Sequence, residues 1–396
     1  MCVHSMLLLI SFNFIPAQTT PLIKDGDMVA LVGGAMIERE QISGYWETEL
    51  TRRMPGQKVR FRNLAWSGDT VFGHARAGFG STPDGYKKMI EHINFVKPNV
   101  TLFAYGASES FDGETGLVAF QKGFEKLLKD LSGNKSKSVL ISPLWHENLG
   151  APLPDGSLQN QNLGTYSTTI AEVAKTSHAS FYDLFRSRSS FDSLLGENTK
   201  LTSNGIHPTN LGYYLLSNEF SKAFAINEEA WEVAIDMAKG TINALGCEVK
   251  TEGKLNWVVN DKMLPRPVVT GAMNLNPAPR KLTIKNLPQG IFKLMIDGKE
   301  VANQGSEEWS KGVVLSKGPD FDQVEMLRKL INEKNRQYFH RWRPQNETYL
   351  LGFRKHEQGQ NAQEIPKFDP IVAAKEEEIF KLNKPVARTY SLIEVK

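Results

Sequence analysis

The residue types in this chain that could do chemistry are gathered in short polar segments next to apolar runs. They supply glycine N–H groups, hydroxyls, carboxylates and imidazoles, and they span 33–35, 67–70, 106–110, 146–147 and 204–207. Imidazoles and carboxylates can move protons, and a hydroxyl can attack a carbonyl carbon when a base lies beside it. Backbone N–H groups in tight turns can stabilise the charge that develops on the attacked oxygen. Together these residue types favour hydrolysis or acyl transfer.

The first four of these segments follow predicted strands. Apolar runs predict five strands, at 28–32, 58–65, 99–105, 138–142 and 179–185. Helical patterns lie between and after them, at 36–40, 45–50, 86–96, 116–131, 160–175 and 211–224. Five rounds of strand and helix predict a parallel sheet with helices on both faces. Ligand sites in such folds lie beyond the carboxyl ends of the strands, which is where the polar segments fall.

Four short segments resemble, in order and spacing, the sequence blocks of the SGNH/GDSL-type hydrolases. Gly33-Gly34-Ala35 resembles the first block, which in that family is Gly-Asp-Ser with a serine nucleophile. Residues 63–70 resemble the second block, and residues 106–109 resemble the Gly-x-Asn-Asp of the third. Residues 204–207, Asn-Gly-Ile-His, resemble the Asp-x-x-His block that delivers the catalytic histidine. A match to one block alone is weak evidence. Because the four segments occur in the same order as the family's blocks, the resemblance is fairly specific.

Residues 63–73 and 353–362 are also similar to exported, planctomycete-type members of the same family. The resemblance implies an α/β fold: a three-layer α/β/α, flavodoxin-like parallel sheet, the SGNH hydrolase fold. A shift in composition after about residue 245 adds a small C-terminal β module and a helical tail. The activity that the resemblance implies is hydrolysis of ester bonds, with acetyl or similar short acyl groups on carbohydrate as the substrate class and no cofactor.

The same resemblance implies roles for individual residues. The catalytic set would be His207 as the base, Asn204 as its partner, and Gly68 and Ser108 as oxyanion donors. Around this set lie the implied substrate-binding residues, which are Gly34, Ala35, Asp69, Glu109 and His146. No metal site is predicted, because the spacing of histidines and carboxylates along the chain gives it no support.

Two positions depart from the family pattern. Ala35 has no oxygen, so the ordinary acyl-enzyme cannot form there. Asn204 replaces a carboxylate, and an amide in that place can favour the wrong imidazole tautomer, a change that costs serine proteases about four orders of magnitude in turnover. Three hypotheses stay open: an ester hydrolase with a divergent or lost nucleophile, a non-catalytic pseudo-hydrolase that holds a glycan or an acylated ligand, and an interaction protein that docks through residues 246–396.

Several residues keep two interpretations. Ser108 is either a substitute nucleophile or a turn residue, and a water molecule activated by His207 is another route. The pair at 146–147 is either a second base or metal ligand, or a solvated loop pair. Trp66 and Trp145 either line a sugar-binding cleft or fill the core.

The predicted organisation has four parts: a signal peptide at 1–18, an SGNH/GDSL hydrolase-like domain at 19–245, a small β-rich module at 246–318 and a helical C-terminal region at 319–396. The first part is a short apolar run that ends at a small residue, Ala17. An exported protein is therefore expected, in the periplasm or outside the cell.

The net charge and the cysteine count limit the classes of partner that we expect for this chain. The chain has 47 basic and 44 acidic residues, a formal charge of +3, which is too small to argue for nucleic acid or a membrane surface. Its two cysteines exclude a disulfide framework within the chain of the kind found in small secreted domains. The expected partner is a small-molecule or carbohydrate ester, with no nucleic acid and no stable membrane insertion after signal removal.

Overall fold

The computed structural model describes residues 20–195, 199–269, 275–276, 278–357 and 361–395. The signal peptide predicted at 1–18 lies outside these residues. Among the helices in the described ranges, none is both long and apolar enough to cross a membrane.

A five-stranded parallel sheet forms the centre of the N-terminal half. Its strands are β1 (Met28–Gly33), β2 (Arg60–Asn63), β3 (Val100–Ala104), β4 (Lys137–Ile141) and β5 (Ser180–Tyr182), in the order β2-β1-β3-β4-β5. β1 is buried on both faces: Val29 and Leu31 enter one core, while Ala30 and Val32 enter the other. Burial on both faces explains why β1 appears in the sequence as a continuous apolar run. The strand order reverses between β1 and β3, and such a switch point is where open α/β sheets bind ligands.

Helices cover both faces of this sheet. They are α1 (Ala35–Ser43), α2 (Tyr45–Arg52), α3 (Thr82–Val96), α4 (Gly113–Leu131), α5 (Ser157–Thr176), α6 (Arg188–Leu194) and α7 (Asn210–Lys222). α1, α2 and α7 pack on one face, where the rings of Trp46 and Phe220 stack with centroids 4.4 Å apart. α3, α4 and α5 pack on the other face around Phe120 and Phe124. The predicted three-layer α/β/α architecture is confirmed.

A β module follows, built from two sheets that share one apolar core. Its elements are β6 (Glu232–Asp236), β7 (Thr241–Leu245), β8 (Cys247–Gly253), β9 (Asn256–Asp261), β10 (Arg280–Lys285), β11 (Ile291–Ile296), β12 (Lys299–Gly305), α8 (Ser306–Lys311), β13 (Val313–Leu315) and β14 (Arg388–Val395). The sheet orders are β13-β10-β6-β7 and β12-β11-β14-β9-β8. β6 and β7 precede residue 246 but belong to the first of these sheets, so strand pairing crosses the predicted domain boundary.

The C-terminal region is helical except at its end. It contains α9 (Pro319–Trp342), α10 (Glu347–Leu350) and α11 (Phe368–Leu382) before β14. β14 lies in a region predicted to be helical, where it inserts between β9 and β11 and buries Tyr390 and Leu392. The two-residue spacing of these side chains is the pattern of a strand with one face in a core.

α9 packs the C-terminal region against the N-terminal half. The Lys334 Nζ lies 2.7 Å from the Glu47 carboxylate, and both side chains are buried. The Lys334 Nζ also donates to the Phe61 carbonyl on β2, so α9 covers the edge of the parallel sheet. This contact positions the end of α9 beside the loop that follows β2.

Candidate active site

Backbone contacts bring the ends of β1, β2 and β3 together at the switch point. The Trp66 N–H, after β2, donates to the carbonyl of Gly33 at the end of β1, at 2.9 Å. Gly33 is also in register with Ala104 at the end of β3. The predicted segments that follow these three strands therefore meet at one edge of the sheet.

Ala35 is the first residue of α1, and its side chain is half-buried. Gly34 precedes it in an extended conformation, and a Cβ there would stand 3.8 Å from the Asp69 carbonyl oxygen, at ordinary contact distance. The N–H groups in the first turn of a helix have no partner within that helix, so this turn offers hydrogen-bond donors. It offers no nucleophilic oxygen.

Gly68 supplies another donor in the loop after β2. Its φ is +77°, a left-handed conformation that glycine adopts without steric cost. In the part of the chain that the structure describes, the exposed Gly68 N–H donates to no protein acceptor. The neighbouring Ser67 N–H is held by the carboxylate of Glu38, which also accepts a hydrogen bond from Arg343 at 2.9 Å. Glu38 therefore anchors the loop, while the Gly68 N–H stays available as a hydrogen-bond donor.

Asp69 lies beneath this loop, which corrects its prediction as a substrate-binding residue. Its side chain is 1% exposed and accepts hydrogen bonds from Arg76 Nε at 2.7 Å and the Tyr105 hydroxyl at 3.1 Å. Arg76 is itself fully buried and donates to the Leu64 carbonyl. A carboxylate held by a buried guanidinium has no open face for a ligand, so Asp69 positions the loop that carries Gly68.

Glu109 is also buried, and this corrects its prediction as a substrate contact. Its two carboxylate oxygens accept the N–H groups of Val71 and Gly106, each at 2.9 Å. These bonds tie the loop after β2 to the loop after β3. Burial raises the pKa of Glu109 to about 7, although the two N–H donors favour its charged form.

We expect Glu109 to make folding stability depend on pH. Because its pKa rises from 4.5 to about 7 on folding, the native state holds this proton across that window and the unfolded state releases it. Its contribution to stability is therefore present at low pH and lost as the pH rises to about 7, a loss of about 3 kcal/mol. Urea unfolding of wild type and Glu109→Gln from pH 4.5 to 8 measures the effect, with the wild type losing stability relative to the variant. A constant difference across this range would contradict the raised pKa.

Ser108 is exposed at the start of the short helical turn Glu109–Asp112 and makes no capping hydrogen bond to it. Its hydroxyl is free to donate at the sheet edge, and its role as an oxyanion donor stays a prediction. Phe111, in the same turn, is 66% exposed, and its ring centroid lies 6.2 Å from that of His146.

The side chains of Asn204 and His207 contact each other, as the resemblance implied. The structure also determines which of the two donates the hydrogen bond and which accepts it. The Asn204 Oδ1 accepts the backbone N–H groups of Ile206 at 3.2 Å and of His207 at 2.9 Å. The amide orientation is thereby fixed, and its Nδ2 lies 3.0 Å from the His207 Nδ1. An amide nitrogen can only donate, so the Nδ1 must be the acceptor.

Because the Nδ1 of His207 accepts this hydrogen bond, the proton of the neutral ring lies on Nε2. Burial, and secondly the positive charge of Arg39, lower the pKa of His207, which keeps the ring neutral at physiological pH. In a hydrolytic triad a carboxylate accepts from Nδ1 and leaves Nε2 free to take a proton. Here the outward nitrogen carries a proton, so His207 is a hydrogen-bond donor toward the site.

Glu147 holds the histidine loop in place. Its carboxylate accepts the N–H groups of Leu201 at 2.9 Å and Thr202 at 2.6 Å, and also the Thr202 hydroxyl. Its own N–H donates to the carbonyl of Gly205, whose φ is +84°. Of the interpretations open for the pair at 146–147, the structure gives Glu147 a positioning role.

His146 is the second imidazole at this edge. The Asn160 side chain bonds to both its N–H and its carbonyl, at 2.7 and 2.8 Å, and so fixes its backbone. Burial first, and then the proximity of His207, lower the pKa of His146, so this ring is also neutral at physiological pH. The hydrogen bond from the Glu147 N–H to the Gly205 carbonyl joins the loops that carry His146 and His207, so the structure brings these two loops together.

The two tryptophans do not present open faces. Trp145 is 3% exposed and packs against Phe191 in the core. The Arg343 guanidinium lies 3.6 Å from the ring centroid of Trp66 and covers it. The structure therefore does not support a sugar-binding face on either ring.

Glu38 and Arg343 anchor the loop of Gly68, and the sequence did not predict this contact between them. Neither lies in a recognisable motif, and Arg343 comes from the distant C-terminal region, so no local signal marks them. Across the described ranges, no group of three or more histidine, cysteine, aspartate or glutamate side chains is arranged to hold a metal ion.

The fold is a three-layer α/β/α parallel sheet with the strand order β2-β1-β3-β4-β5, extended by C-terminal sheets. The chain is similar over 96% of its length to the whole of a gut microbial diltiazem-metabolizing enzyme, with a TM-score of 0.73 and 17% sequence identity. At this identity the similarity is one of fold, and it includes the C-terminal region.

Two further solved structures are similar to about half of the chain. An acetylxylan esterase from Geobacillus stearothermophilus matches 52% of this chain and 97% of its own, with 15% identity and a TM-score of 0.43. An alpha/beta hydrolase enzyme from the metagenome of Lake Arreo, Spain, matches 53% of this chain and all of its own, with 16% identity and a TM-score of 0.42. No protein-family model and no curated protein matches the sequence.

Proposed function

We propose that the protein is an SGNH-type ester hydrolase that has lost the covalent route and attacks its ester with water. The observation that carries the proposal is the position of His146, whose ring centroid lies 6.2 Å from that of Phe111 in the turn that begins at Ser108, together with His207, whose Nδ1 lies 3.0 Å from Asn204 Nδ2. Ala35 removes the serine but leaves the hydrogen-bond donors of the site in place. A water-based route requires a base, an oxyanion site and no nucleophilic side chain.

His146 is the base in this proposal. Its lowered pKa leaves the ring unprotonated at neutral pH, ready to take a proton from water. The water oxygen then bonds to the carbonyl carbon, and the carbonyl oxygen becomes an oxyanion facing Gly68 and Ser108. On collapse, the carbon–oxygen ester bond breaks and the leaving alkoxide takes the proton that His146 held. His207 donates a hydrogen bond through Nε2 to an oxygen of the intermediate.

The substrate class we propose is a short acyl ester on carbohydrate, and this part rests on the family resemblance. We also propose that the protein is exported, which rests on the signal peptide predicted at 1–18. The exposed Phe111 ring beside His146 adds an apolar surface that an acyl or sugar group can contact.

A second candidate function is ligand binding without turnover. The orientation of Asn204 favours it, because His207 is then a donor and the ordinary base of the family is absent. A site made of donors suits an ester carbonyl or the carboxylate that hydrolysis releases.

The test is the hydrolysis of p-nitrophenyl acetate and of acetylated xylo-oligosaccharide by wild type, His146→Ala and His207→Ala. His356→Ala is the matched control, since this exposed histidine lies in the C-terminal region. We expect each site variant to lose about 10²-fold in kcat/KM and the control to keep its rate. Because the pKa of His146 is lowered, wild-type activity should persist below pH 6.5.

Intact-mass spectrometry during turnover should show no acyl-enzyme. Equal rates in wild type and both site variants would remove the hydrolase proposal. Saturable binding of acetate or acetylated oligosaccharide that His207→Ala abolishes would then establish the second candidate.

A further inference from the structure

Three helical segments end on basic residues at the opposite, amino-terminal edge of the parallel sheet. Lys97 ends α3, Lys135 ends the turn after α4, and His178 follows the end of α5. Their φ angles are +52°, +55° and +54°, the left-handed conformation that glycine or asparagine usually takes at a helix end. Three basic side chains therefore hold a backbone conformation that disfavours them.

Complementing the helix dipole does not require this conformation. A lysine in the last helical turn, followed by glycine, would place the same charge near the same carbonyls without the left-handed penalty. The left-handed backbone at these three residues instead determines where their basic side chains lie.

The basic side chains line two neighbouring grooves that share Lys137. One groove has a volume of about 570 Å³ and includes Lys24, Lys97 and Lys135. The other has a volume of about 550 Å³ and includes Lys129 and His178. Two grooves joined in this way form one elongated basic surface.

Few acidic groups balance this charge. Asp27 lines the first groove, but it is buried and accepts the Lys24 backbone N–H; Glu125 lines the second. Within the described part of the chain, neither Lys97 nor Lys135 forms an ion pair. The grooves therefore hold an excess of ammonium groups over carboxylates.

The other lining groups are amides and hydroxyls. Asn99 Oδ1 accepts the Met28 N–H and Asn134 Nδ2 donates to Asn94 Oδ1, which leaves the Nδ2 donors of Asn99 and Asn94 for a ligand. Serines line the second groove, and neither groove has a phenylalanine, tyrosine or tryptophan among its lining residues. Bases of single-stranded nucleic acid bind by stacking on aromatic rings, and interfacial helices bind membranes by burying apolar side chains in addition to the attraction of basic groups for anionic lipids.

We propose that the two grooves bind an anionic oligosaccharide, one whose sugar units carry sulfate or carboxylate groups. The ammonium groups meet the anionic oxygens, and the amides and hydroxyls meet the sugar hydroxyls. This site lies at the opposite edge of the sheet from His207 and does not depend on any hydrolytic activity.

The experiment uses the full chain and a heparin-derived hexasaccharide, with titration calorimetry at low and at physiological salt. The test variant is Lys97→Asn/Lys135→Asn, which removes two charges and places asparagine at positions that favour it. The control is Lys250→Asn/Lys254→Asn, which removes two charges from exposed positions in the β module. Neutral xylohexaose, oligogalacturonate, single-stranded DNA and phosphatidylglycerol vesicles complete the set of probes.

We expect the test variant to lose about tenfold or more in affinity for the hexasaccharide, and the control to change less than about twofold. The Tm of the test variant should equal or exceed that of wild type, which separates lost binding from lost folding. Binding of oligogalacturonate alongside the hexasaccharide would assign carboxylates as well as sulfates. An equal loss in the control, equal binding of xylohexaose, tighter binding of DNA or vesicles, or no binding by wild type would overturn the proposal.

Discussion

The double variant Ala35→Ser/Asn204→Asp is expected to hydrolyse p-nitrophenyl acetate about 10²- to 10⁴-fold faster than wild type, through a covalent acyl-enzyme. The serine hydroxyl would stand at the start of α1, where the side chain of residue 35 is half-buried at the switch point. The carboxylate would keep one oxygen on the two backbone N–H groups that Asn204 now serves. Its other oxygen would accept the Nδ1 proton of His207, which frees Nε2 to act as a base.

Each single change should restore little activity, because nucleophile and base act as one unit. Ala35→Ser alone leaves Nε2 protonated, and Asn204→Asp alone leaves no hydroxyl. A fluorophosphonate probe should therefore label only the double variant, at residue 35. Labelling of Ala35→Ser alone at the same rate would contradict the tautomer assigned to His207, and no labelling of a folded double variant would contradict the placement of residue 35.

Asp69→Ala is expected to destabilise the fold by about 3–5 kcal/mol, the cost of leaving a buried charge without its partner. Arg76 is fully buried, and its Nε lies 2.7 Å from the Asp69 carboxylate. The Tyr105 hydroxyl would lose the same acceptor. Urea unfolding followed by tryptophan fluorescence measures the loss.

Two control variants distinguish the cost of breaking the buried ion pair from the cost of removing any carboxylate. Asp130→Ala removes a carboxylate from a pair with Lys126 whose side chains are largely exposed, and it should cost less than about 1 kcal/mol. Asp69→Ala/Arg76→Leu removes both buried charges and should recover part of the loss. If Asp69→Ala costs no more than Asp130→Ala, the buried pair does not support the loop of Gly68.

Much of the fold could be predicted because the central sheet is buried on both faces. A strand such as β1, with side chains entering two cores, must be apolar along its length, and it appears so in the sequence. β14 is half-exposed and paired with strands distant in the chain, so its local pattern is weak. Its neighbours β9 and β11 determine its conformation, and that information is not local.

In the candidate site, too, some features could be predicted from the sequence and others could not. Spacing within one loop brings Asn204 and His207 into contact, and this could be predicted. Which atom of the Asn204 amide faces the ring depends on two backbone N–H groups in the folded loop. Asp69 and Glu109 have residue types suited to ligands, but burial gives both positioning roles. Sequence supplies the residue types, and only packing determines which of them face solvent.

The central claim is that neutral His207 carries its proton on Nε2 because the Asn204 amide donates to Nδ1. Long-range ¹⁵N–¹H NMR of uniformly labelled protein at pH 7.5 reports this directly, with the signals assigned by their loss in His207→Gln. We predict a protonated Nε2 and an unprotonated Nδ1 in wild type, and the reverse in Asn204→Asp. A wild-type spectrum with the proton on Nδ1, or with both nitrogens protonated, would contradict the account.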